Sequence, residues 1–195
     1  MKGRSLGHLW AAYVLETLVK SGLDTVCIAP GSRSTCLVLA AHEHKDISVI
    51  THFDERSLAF FALGVAKEKQ APVAVITTSG TAVANLVPAA AEAFQLQIPV
   101  VFLTADRPSY LHACGANQTL AQEPLLASVT MQQYTAALPC EDSAVKTDFF
   151  CRINTLIEQC MDGPIHINMP FEQPFLTTTY HHCEIAANQQ KKISK

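Results

Sequence analysis

The sequence has 195 residues, a length typical of one domain with a substantial core. Hydrophobic residues make up 49% of it, charged residues make up 16%, and the formal net charge at pH 7 is -3. This composition lacks the basic footprint of a nucleic-acid-binding protein. Polar or turn residues interrupt every long apolar run, so we expect no membrane span.

The cysteines and histidines form no recognisable metal or disulfide pattern. The seven cysteines, an odd number, include no C-x-x-C pair, and the spacings of His42, His44 and the pair at 181–182 match no zinc signature. Free thiols of this kind are typical of a reducing compartment, so we expect a cytoplasmic protein. The N-terminus lacks a small-residue cleavage site for a signal peptide and is predicted to be an amphipathic helix.

Helical and strand patterns alternate along the chain. Apolar residues recur at helical spacing from Leu6 to Leu18, and Gly22 is placed to end that helix. Later helices are predicted in LVLAAHEH, SLAFFALGVA, TAVANLVPAAAEAFQ, residues 119–127 and residues 143–161. The predicted strands lie in TVCIA, ISVITHF, VAVITT, PVVFLTAD, TMQQYTAALP and PIHINMP.

This alternation predicts an α/β fold, with a doubly wound, mainly parallel sheet and helices on both faces. We expect residues 1–175 to form one domain, and residues 176–195, which lack a core pattern, to be a linker or tail. Ligands of such sheets bind outside the carboxyl ends of the strands. Four polar segments follow predicted strands, at residues 31–34, 54–56, 79–81 and 106–108, so a single site could gather all four.

Two arginines in these segments are candidates for holding an anionic substrate. Arg33 lies in a Gly-Ser turn that opens a helix, where backbone N–H groups also favour anions, and Arg107 follows the fourth predicted strand. The alternative is that both arginines cap carbonyl groups or pair with Asp106 and Glu43. Ser32 has no histidine or acid at an interpretable distance, so we do not predict a nucleophile there.

Two further segments have an open role on the residues alone. Gly80 and Thr81 open a helix, but their spacing matches neither a dinucleotide fingerprint nor a Walker phosphate loop. Asn117 and Gln118, in GANQ, either hydrogen-bond a ligand or satisfy nearby backbone groups, as loop amides often do.

Glu55 stands where a short strand meets a helix, SLAFFALGVA, that is apolar on every side. Such a helix is buried or lies in an interface. A carboxyl group at its start should be desolvated unless a partner compensates it, which suits proton sharing with a ligand. The alternative is that Asp54 and Glu55 only interact favourably with the helix dipole from the first turn.

Taken together, these segments resemble a known enzyme family. HFDERSLAFFALGVAK followed by VAVITTSGTAVANLVPAAAEA is similar to the pyrimidine-binding domain of thiamine diphosphate enzymes, in which a glutamate at a strand end precedes a helix rich in alanine and glycine. More narrowly, IAPGSRST, THFDER, TSGTAVANL, LTADRP and GANQ, in this order, resemble the 2-succinyl-5-enolpyruvyl-6-hydroxy-3-cyclohexene-1-carboxylate synthases of menaquinone biosynthesis. The likeness extends from the first helix to PIHINMPFEQP.

The resemblance implies a transferase reaction. Thiamine diphosphate, with Mg2+ (or Mn2+) on its diphosphate, decarboxylates 2-oxoglutarate, and the succinyl carbanion equivalent adds to isochorismate with release of CO2. Glu55 matches the glutamate that hydrogen-bonds N1′ of the aminopyrimidine and promotes its imino tautomer, while Gly80 and Thr81 fall on the cofactor side. The residues that match the family's substrate side are Ser32, Arg33, Arg107, Asn117 and Gln118.

The sequence lacks the G-D-G segment and downstream asparagine with which such enzymes bind the diphosphate and metal through a second domain. We therefore expect the N-terminal domain of a longer enzyme, without metal ligands of its own. Its active site would be completed by a second subunit of a homodimer or dimer of dimers, and the apolar helix after Glu55 fits burial at that interface. Alone, the chain is expected to bind the cofactor weakly and turn over nothing.

Two alternatives stand beside this interpretation. One is another thiamine-dependent 2-oxoacid carboligase or decarboxylase, such as a relative of acetohydroxyacid synthase, although small neutral acceptors would not need both Arg33 and Arg107. The other is a non-catalytic doubly wound module that binds a ligand or partner, against which the linker-like tail argues.

Overall fold

The structure, a computed structural model, describes residues 5–176. Its helices are α1 (Leu6–Lys20), α2 (Thr35–Glu43), α3 (Glu55–Lys69), α4 (Thr81–Ala84), α5 (Val87–Leu96), α6 (Gln122–Leu126), α7 (Ser143–Glu158) and a 3₁₀ turn at Ser109–Leu111. Its strands are β1 (Thr25–Ile28), β2 (Ser48–Thr51), β3 (Val73–Thr77), β4 (Val100–Asp106), β5 (Gln132–Thr135) and β6 (Ile165–Pro170). The predicted tail lies outside the described residues, apart from Leu176.

The strands of residues 5–176 form one six-stranded parallel sheet in the order β2-β1-β3-β4-β6-β5. The chain moves outward from β1 to β2 and then adds β3 on the other side of β1, so the strand order reverses between β1 and β3. The predicted α/β fold with a doubly wound parallel sheet is confirmed. Every residue of β1, β3, β4 and β6 is buried, which explains why apolar residues dominate these strands.

Each face of the sheet has its own core. On one face α1, α2 and α7 pack together, and Trp10 stacks on Phe149 with ring centroids 4.1 Å apart. On the other face α3, α5 and α6 cover the sheet through Leu58, Phe102 and Leu126. Because helices cover both faces, a ligand can approach the sheet at the strand ends.

The helix predicted over residues 81–95 is in fact two helices. α4 ends at Ala84 and α5 begins at Val87. Pro88 supplies the physical reason, because it has no N–H group to donate to the carbonyl of Ala84, four residues earlier. The break leaves Asn85 exposed between the two helices.

α3 is apolar on all sides, but this chain buries only one of them. The buried residues of α3 are Leu58, Ala59, Ala62, Leu63 and Ala66. Phe60 and Phe61 are 42% and 50% exposed, and Phe53, just before the helix, is 83% exposed. The expectation of burial therefore holds for one face within this chain, while the other face presents phenyl groups at the surface.

No helix among residues 5–176 has both the length and the apolarity needed to cross a bilayer.

A buried polar network ties β4 to β6. Asn168 donates from Nδ2 to Oδ2 of Asp106 at 2.8 Å, and its Oδ1 accepts from Oγ1 of Thr104 at 2.8 Å and from Nε2 of Gln122 at 2.7 Å. Nε2 of His166 lies 2.7 Å from Oγ1 of Thr104. Because Thr104 gives its hydrogen to Asn168, Nε2 of the imidazole carries the hydrogen of that contact. Nδ1 of His166 is therefore an acceptor, and it is buried without a hydrogen-bond partner among residues 5–176.

Burial lowers the pKa of His166 from its ordinary value of 6.5 to about 4. As the pH falls through that window, the unfolded chain takes up a proton on this imidazole before the folded chain does. The contribution of neutral His166 to the stability of the folded chain is therefore complete above about pH 6.5. It is lost progressively as the pH falls toward about 4.

We predict that His166→Gln makes folding less sensitive to acid. Glutamine keeps a donor for Thr104 but takes up no proton, so between about pH 6.5 and about pH 4.5 its unfolding free energy should fall by roughly 2 kcal/mol less than that of the wild type. Denaturant unfolding at the two pH values measures this difference. His42→Gln, at an exposed histidine, should behave as the wild type, and an equal acid-induced loss in His166→Gln would contradict the prediction.

Candidate functional site

The four predicted turn segments lie side by side. They follow β2, β1, β3 and β4, which are neighbours in the sheet, and parallel strands end at the same edge. The turns after β1 and β3 meet where the strand order reverses. A Cβ atom at Gly31 would lie only 2.2 Å from Cβ of Thr78. Glycine is therefore required there, and it brings the GSRS turn against the end of β3.

The Ser79-Gly80 turn is held by three other segments. Arg107 donates from Nη1 to Oγ of Ser79 and, at 2.8 Å, to the carbonyl oxygen of Gln118. Gln118 donates from Nε2 to the carbonyl oxygen of Ser79 at 2.9 Å. The N–H group of Gly80 donates to Oε1 of Gln122 at 2.8 Å. Through Gln122, the turn is joined to the buried network between β4 and β6.

Gly80 has a φ of +79°, and a Cβ atom there would lie 2.6 Å from Cγ and 2.8 Å from the carbonyl oxygen of Gln118. Both the backbone conformation and the close approach require glycine. Its N–H group points into the protein, so it is not available to an anion. The cofactor-side role of Gly80, and of the exposed Thr81 beside it, stays a prediction.

Arg33 and Arg107 are half-buried at this edge, and neither forms an ion pair within residues 5–176. Arg33 donates from Nη1 to the carbonyl oxygen of Phe171 at 2.8 Å, and its guanidinium lies 5.0 Å from the ring centroid of Phe175. Burial lowers the pKa of Arg33, and the charge of Arg107 lowers it further. An anion bound between the two guanidinium groups would relieve this repulsion.

Of the alternatives for the two arginines, capping of carbonyl groups is confirmed and pairing with acids is wrong. Asp106 is buried, and it accepts the backbone N–H of Arg107 at 2.7 Å and the amide of Asn168. Oε2 of Glu43 lies 3.3 Å from Nε2 of His8 rather than beside an arginine of this edge. Each arginine uses Nη1 for its carbonyl contact, so the remaining guanidinium donors are left for a ligand.

The other predicted substrate-side residues are exposed beside the arginines. Ser32 follows Gly31 in the first turn, and Asn117 precedes Gln118 in the loop that covers the Ser79 turn. Gln118 adopts a left-handed φ of +57°. Since its amide nitrogen is committed to Ser79, its amide oxygen is the group left for a ligand.

Glu55 opens α3, half-buried, and its Oε2 accepts from Nδ2 of Asn85 at 3.0 Å. Asp54 caps the helix by accepting the N–H of Ser57 at 2.7 Å. Asp54 therefore performs the role that the first-turn alternative gave to both acids, and Glu55 is left facing the break between α4 and α5. Glu55 is half-buried and has Asn85 as a partner, so the desolvation expected of an unpartnered carboxyl group is not found among residues 5–176.

Three residues of the site were missed in the sequence. Asn85 was signalled indirectly by Pro88, which follows the end of α4, and Asn168, like His166, is a polar residue in a buried strand. Gln122 gave no signal, because a glutamine in a weak helical segment is ordinarily exposed.

An open, apolar pocket of about 760 Å³ adjoins the same edge between the turn after β1 and the loop before α3. It is lined by Pro30, Gly31, Val38, Leu39, His52 and Phe53, among others. Within residues 5–176, no group of three or more His, Cys, Asp or Glu side chains is arranged to hold a metal ion. The edge thus offers apolar surface, a carboxylate and cationic donors, but no metal centre in the part of the chain described.

Comparison with known proteins assigns the chain to a protein family. Residues 10–128 match the family model described as "Thiamine pyrophosphate enzyme, N-terminal TPP binding domain". The matched stretch contains all four turn segments. The chain belongs to this family of TPP enzymes. The family predicted from the sequence motifs is confirmed.

Curated relatives of this TPP-enzyme domain include several proteins named 2-succinyl-5-enolpyruvyl-6-hydroxy-3-cyclohexene-1-carboxylate synthase. The protein of Aliivibrio fischeri is 46% identical over 175 residues, which is 87% of this chain and 30% of the relative. The protein of Halorhodospira halophila is 45% identical over 190 residues, which is 93% of this chain and 34% of the relative. The protein of Halobacterium salinarum is 46% identical over 171 residues, which is 85% of this chain and 29% of the relative. The chain therefore spans about a third of the length of these curated relatives.

The residues of this TPP-enzyme domain fit the pyrimidine ring of the family's cofactor. Among the described residues, Oε1 of Glu55 has no protein partner, so it is free to meet a ring nitrogen. The adjoining apolar pocket and the exposed phenyl ring of Phe53 offer surface for a flat heterocycle. The metal ion of the diphosphate has no corresponding group of His, Cys, Asp or Glu ligands among the described residues.

We predict that Gly80→Ala lowers the unfolding free energy by more than backbone strain alone would lower it. The new methyl group must displace Gln118 and with it the Arg107 contact, so the unfolding free energy should fall by about 2–3 kcal/mol. Gly22→Ala is the matched control, because Gly22 has a φ of +102° with no atom within 4 Å of its Cβ position. That variant should lose only about 1 kcal/mol. Equal losses in denaturant unfolding would contradict the predicted clash.

Proposed function

We propose that this chain is the pyrimidine-binding domain of a thiamine diphosphate-dependent synthase in menaquinone biosynthesis. The full enzyme would decarboxylate 2-oxoglutarate and transfer the succinyl unit to isochorismate, giving 2-succinyl-5-enolpyruvyl-6-hydroxy-3-cyclohexene-1-carboxylate and CO2. The observation that carries the proposal is the placement of Glu55 on the same sheet edge as two arginines that form no ion pair among residues 5–176. The names of the relatives support the choice of reaction.

Bound thiamine diphosphate would supply the electron sink for decarboxylation of the 2-oxoacid. Glu55 would hydrogen-bond the pyrimidine ring nitrogen through its free carboxylate oxygen and hold the proton shared at that atom. Gly80 and Thr81, at the end of the neighbouring strand, would line the cofactor side of the pocket. The chain's part in the reaction is thus to orient the cofactor and to share one proton with it.

The substrate side follows from charge. Both 2-oxoglutarate and isochorismate are dianions, and a carboxylate between Arg33 and Arg107 would relieve the repulsion between the two guanidinium groups. Ser32, Asn117 and the free amide oxygen of Gln118 would complete the polar contacts. A small neutral acceptor would leave one guanidinium uncompensated, which favours the dianionic pair over a reaction with a neutral acceptor.

Two parts of the proposed enzyme would come from outside this chain. Mg2+ (or Mn2+) and the diphosphate would be held by another domain, and the site would be completed by a second subunit in a homodimer or a dimer of dimers. The exposed rings of Phe53, Phe60 and Phe61 support such an interface, because exposed apolar patches mark surfaces that are covered in an assembly. The free thiols at the six described cysteines support a reducing, cytoplasmic location.

The test is product formation by the full-length gene product from 2-oxoglutarate and isochorismate, with thiamine diphosphate and Mg2+. Glu55→Gln cannot accept the proton, so its turnover should fall by at least about 100-fold. Glu92→Gln, at an exposed glutamate of α5, is the matched control and should retain wild-type turnover. A folded, cofactor-loaded wild type that forms no product from this pair, but reacts with pyruvate-type donors, would contradict the proposed substrates.

A further inference from the structure

We propose that Asn85 is a positioning residue, which holds the carboxylate of Glu55 in the orientation that the cofactor ring requires. The inference deepens the proposed function and rests on it. Asn85 lies 30 residues away from Glu55 along the chain, and its Nδ2 donates to Oε2 of Glu55 at 3.0 Å.

The contact is the single side-chain hydrogen bond to this carboxylate among residues 5–176. No lysine, arginine or histidine of the described chain forms an ion pair with it. Because the amide is neutral, it fixes the direction of the carboxylate without cancelling its charge. It also occupies one oxygen only, so Oε1 keeps its lone pairs for a ring nitrogen.

Both partners of this hydrogen bond stand on fixed backbone. The start of α3 is capped by Asp54, and the backbone N–H of Asn85 donates to the carbonyl oxygen of Thr81 at 3.1 Å. The next residue, Leu86, is fully buried and anchors the break between α4 and α5. Asn85 itself keeps a helical backbone, with φ of -66° and ψ of -17°, as the last residue of the α4 turn before Leu86.

Because Asn85 is exposed, we expect its hydrogen bond to orient the carboxylate of Glu55 and to add little to the stability of the fold. An exposed hydrogen bond between side chains contributes little to stability, because water replaces it on unfolding. A flexible glutamate without a partner, in contrast, must be ordered when the cofactor binds, and that ordering weakens binding. Removing the amide should therefore affect cofactor binding and leave stability nearly unchanged.

The test measures thiamine diphosphate binding to the full-length gene product with Mg2+, by calorimetry, in a double-mutant cycle. Asn85→Ala should weaken binding roughly 10-fold, and Asn85→Asp should weaken it more, because a second carboxylate repels Glu55. In a Glu55→Gln background, Asn85→Ala should change the dissociation constant by less than about twofold. Asn154→Ala, which removes an exposed amide contact to Tyr13 on the other face of the sheet, is the matched control and should bind as the wild type.

Crystal structures of the ligand-free wild type and Asn85→Ala supply a readout that does not depend on the cofactor. We expect one Glu55 side-chain position in the wild type and several in the variant. Binding within twofold of wild type, equal weakening in the Glu55→Gln background, or an unchanged Glu55 position would each overturn the inference. If the wild type does not bind thiamine diphosphate, the proposed function fails, and the ligand-free structures still decide whether Asn85 orients Glu55. If Asn85→Ala does not fold, the near-isosteric Asn85→Asp replaces it in the cycle.

Discussion

The arrangement of the strand ends at the candidate site depends on the hydrogen bonds of the Gln122 side-chain amide. A buried amide must satisfy both its donor and its acceptor, and this one accepts from the N–H of Gly80 while donating to the carbonyl of Ala105 and to Asn168. The Ser79-Gly80 turn is thereby placed by the interior of the sheet. Once that turn is fixed, Gln118 can pack against it and Arg107 can bridge the two. The positions of surface groups thus follow from a polar network that is buried between strands.

The charges at the edge are distributed in the way that an anionic ligand and a heteroaromatic ring would require. Asp106 accepts hydrogen bonds from the amide of Asn168 and from the backbone N–H of Arg107, and among the described residues it forms no ion pair with either arginine. The charge of Arg107 lowers the pKa of Arg33, so two cationic side chains repel each other on one side of the edge. On the other side, the side-chain partner of Glu55 among the described residues is a neutral amide rather than a cation. Pairing of these groups within the chain would have left neither side available to ligands.

The fold was predictable from the sequence because the buried parallel strands read as continuous apolar runs and glycine turns separate them from the helices. The convergence of four turn segments followed from topology alone. What could not be predicted depends on contacts between distant residues. The contact between Glu55 and Asn85 joins residues on two different helices, and the exposure of Phe61 depends on which face of α3 the sheet covers. That Arg33 and Arg107 donate to carbonyl oxygens and do not pair with Asp106 could be predicted only by knowing that Asn168 hydrogen-bonds Asp106.

The central claim is that Glu55 meets the cofactor ring at this edge of the sheet. A crystal structure of the full-length gene product with thiamine diphosphate and Mg2+ tests it most directly. We predict that the pyrimidine ring lies beside α3 with a ring nitrogen within hydrogen-bonding distance of Oε1 of Glu55, while Oε2 stays with Asn85. A pyrimidine ring bound elsewhere, with Glu55 facing solvent or another side chain, would contradict this account.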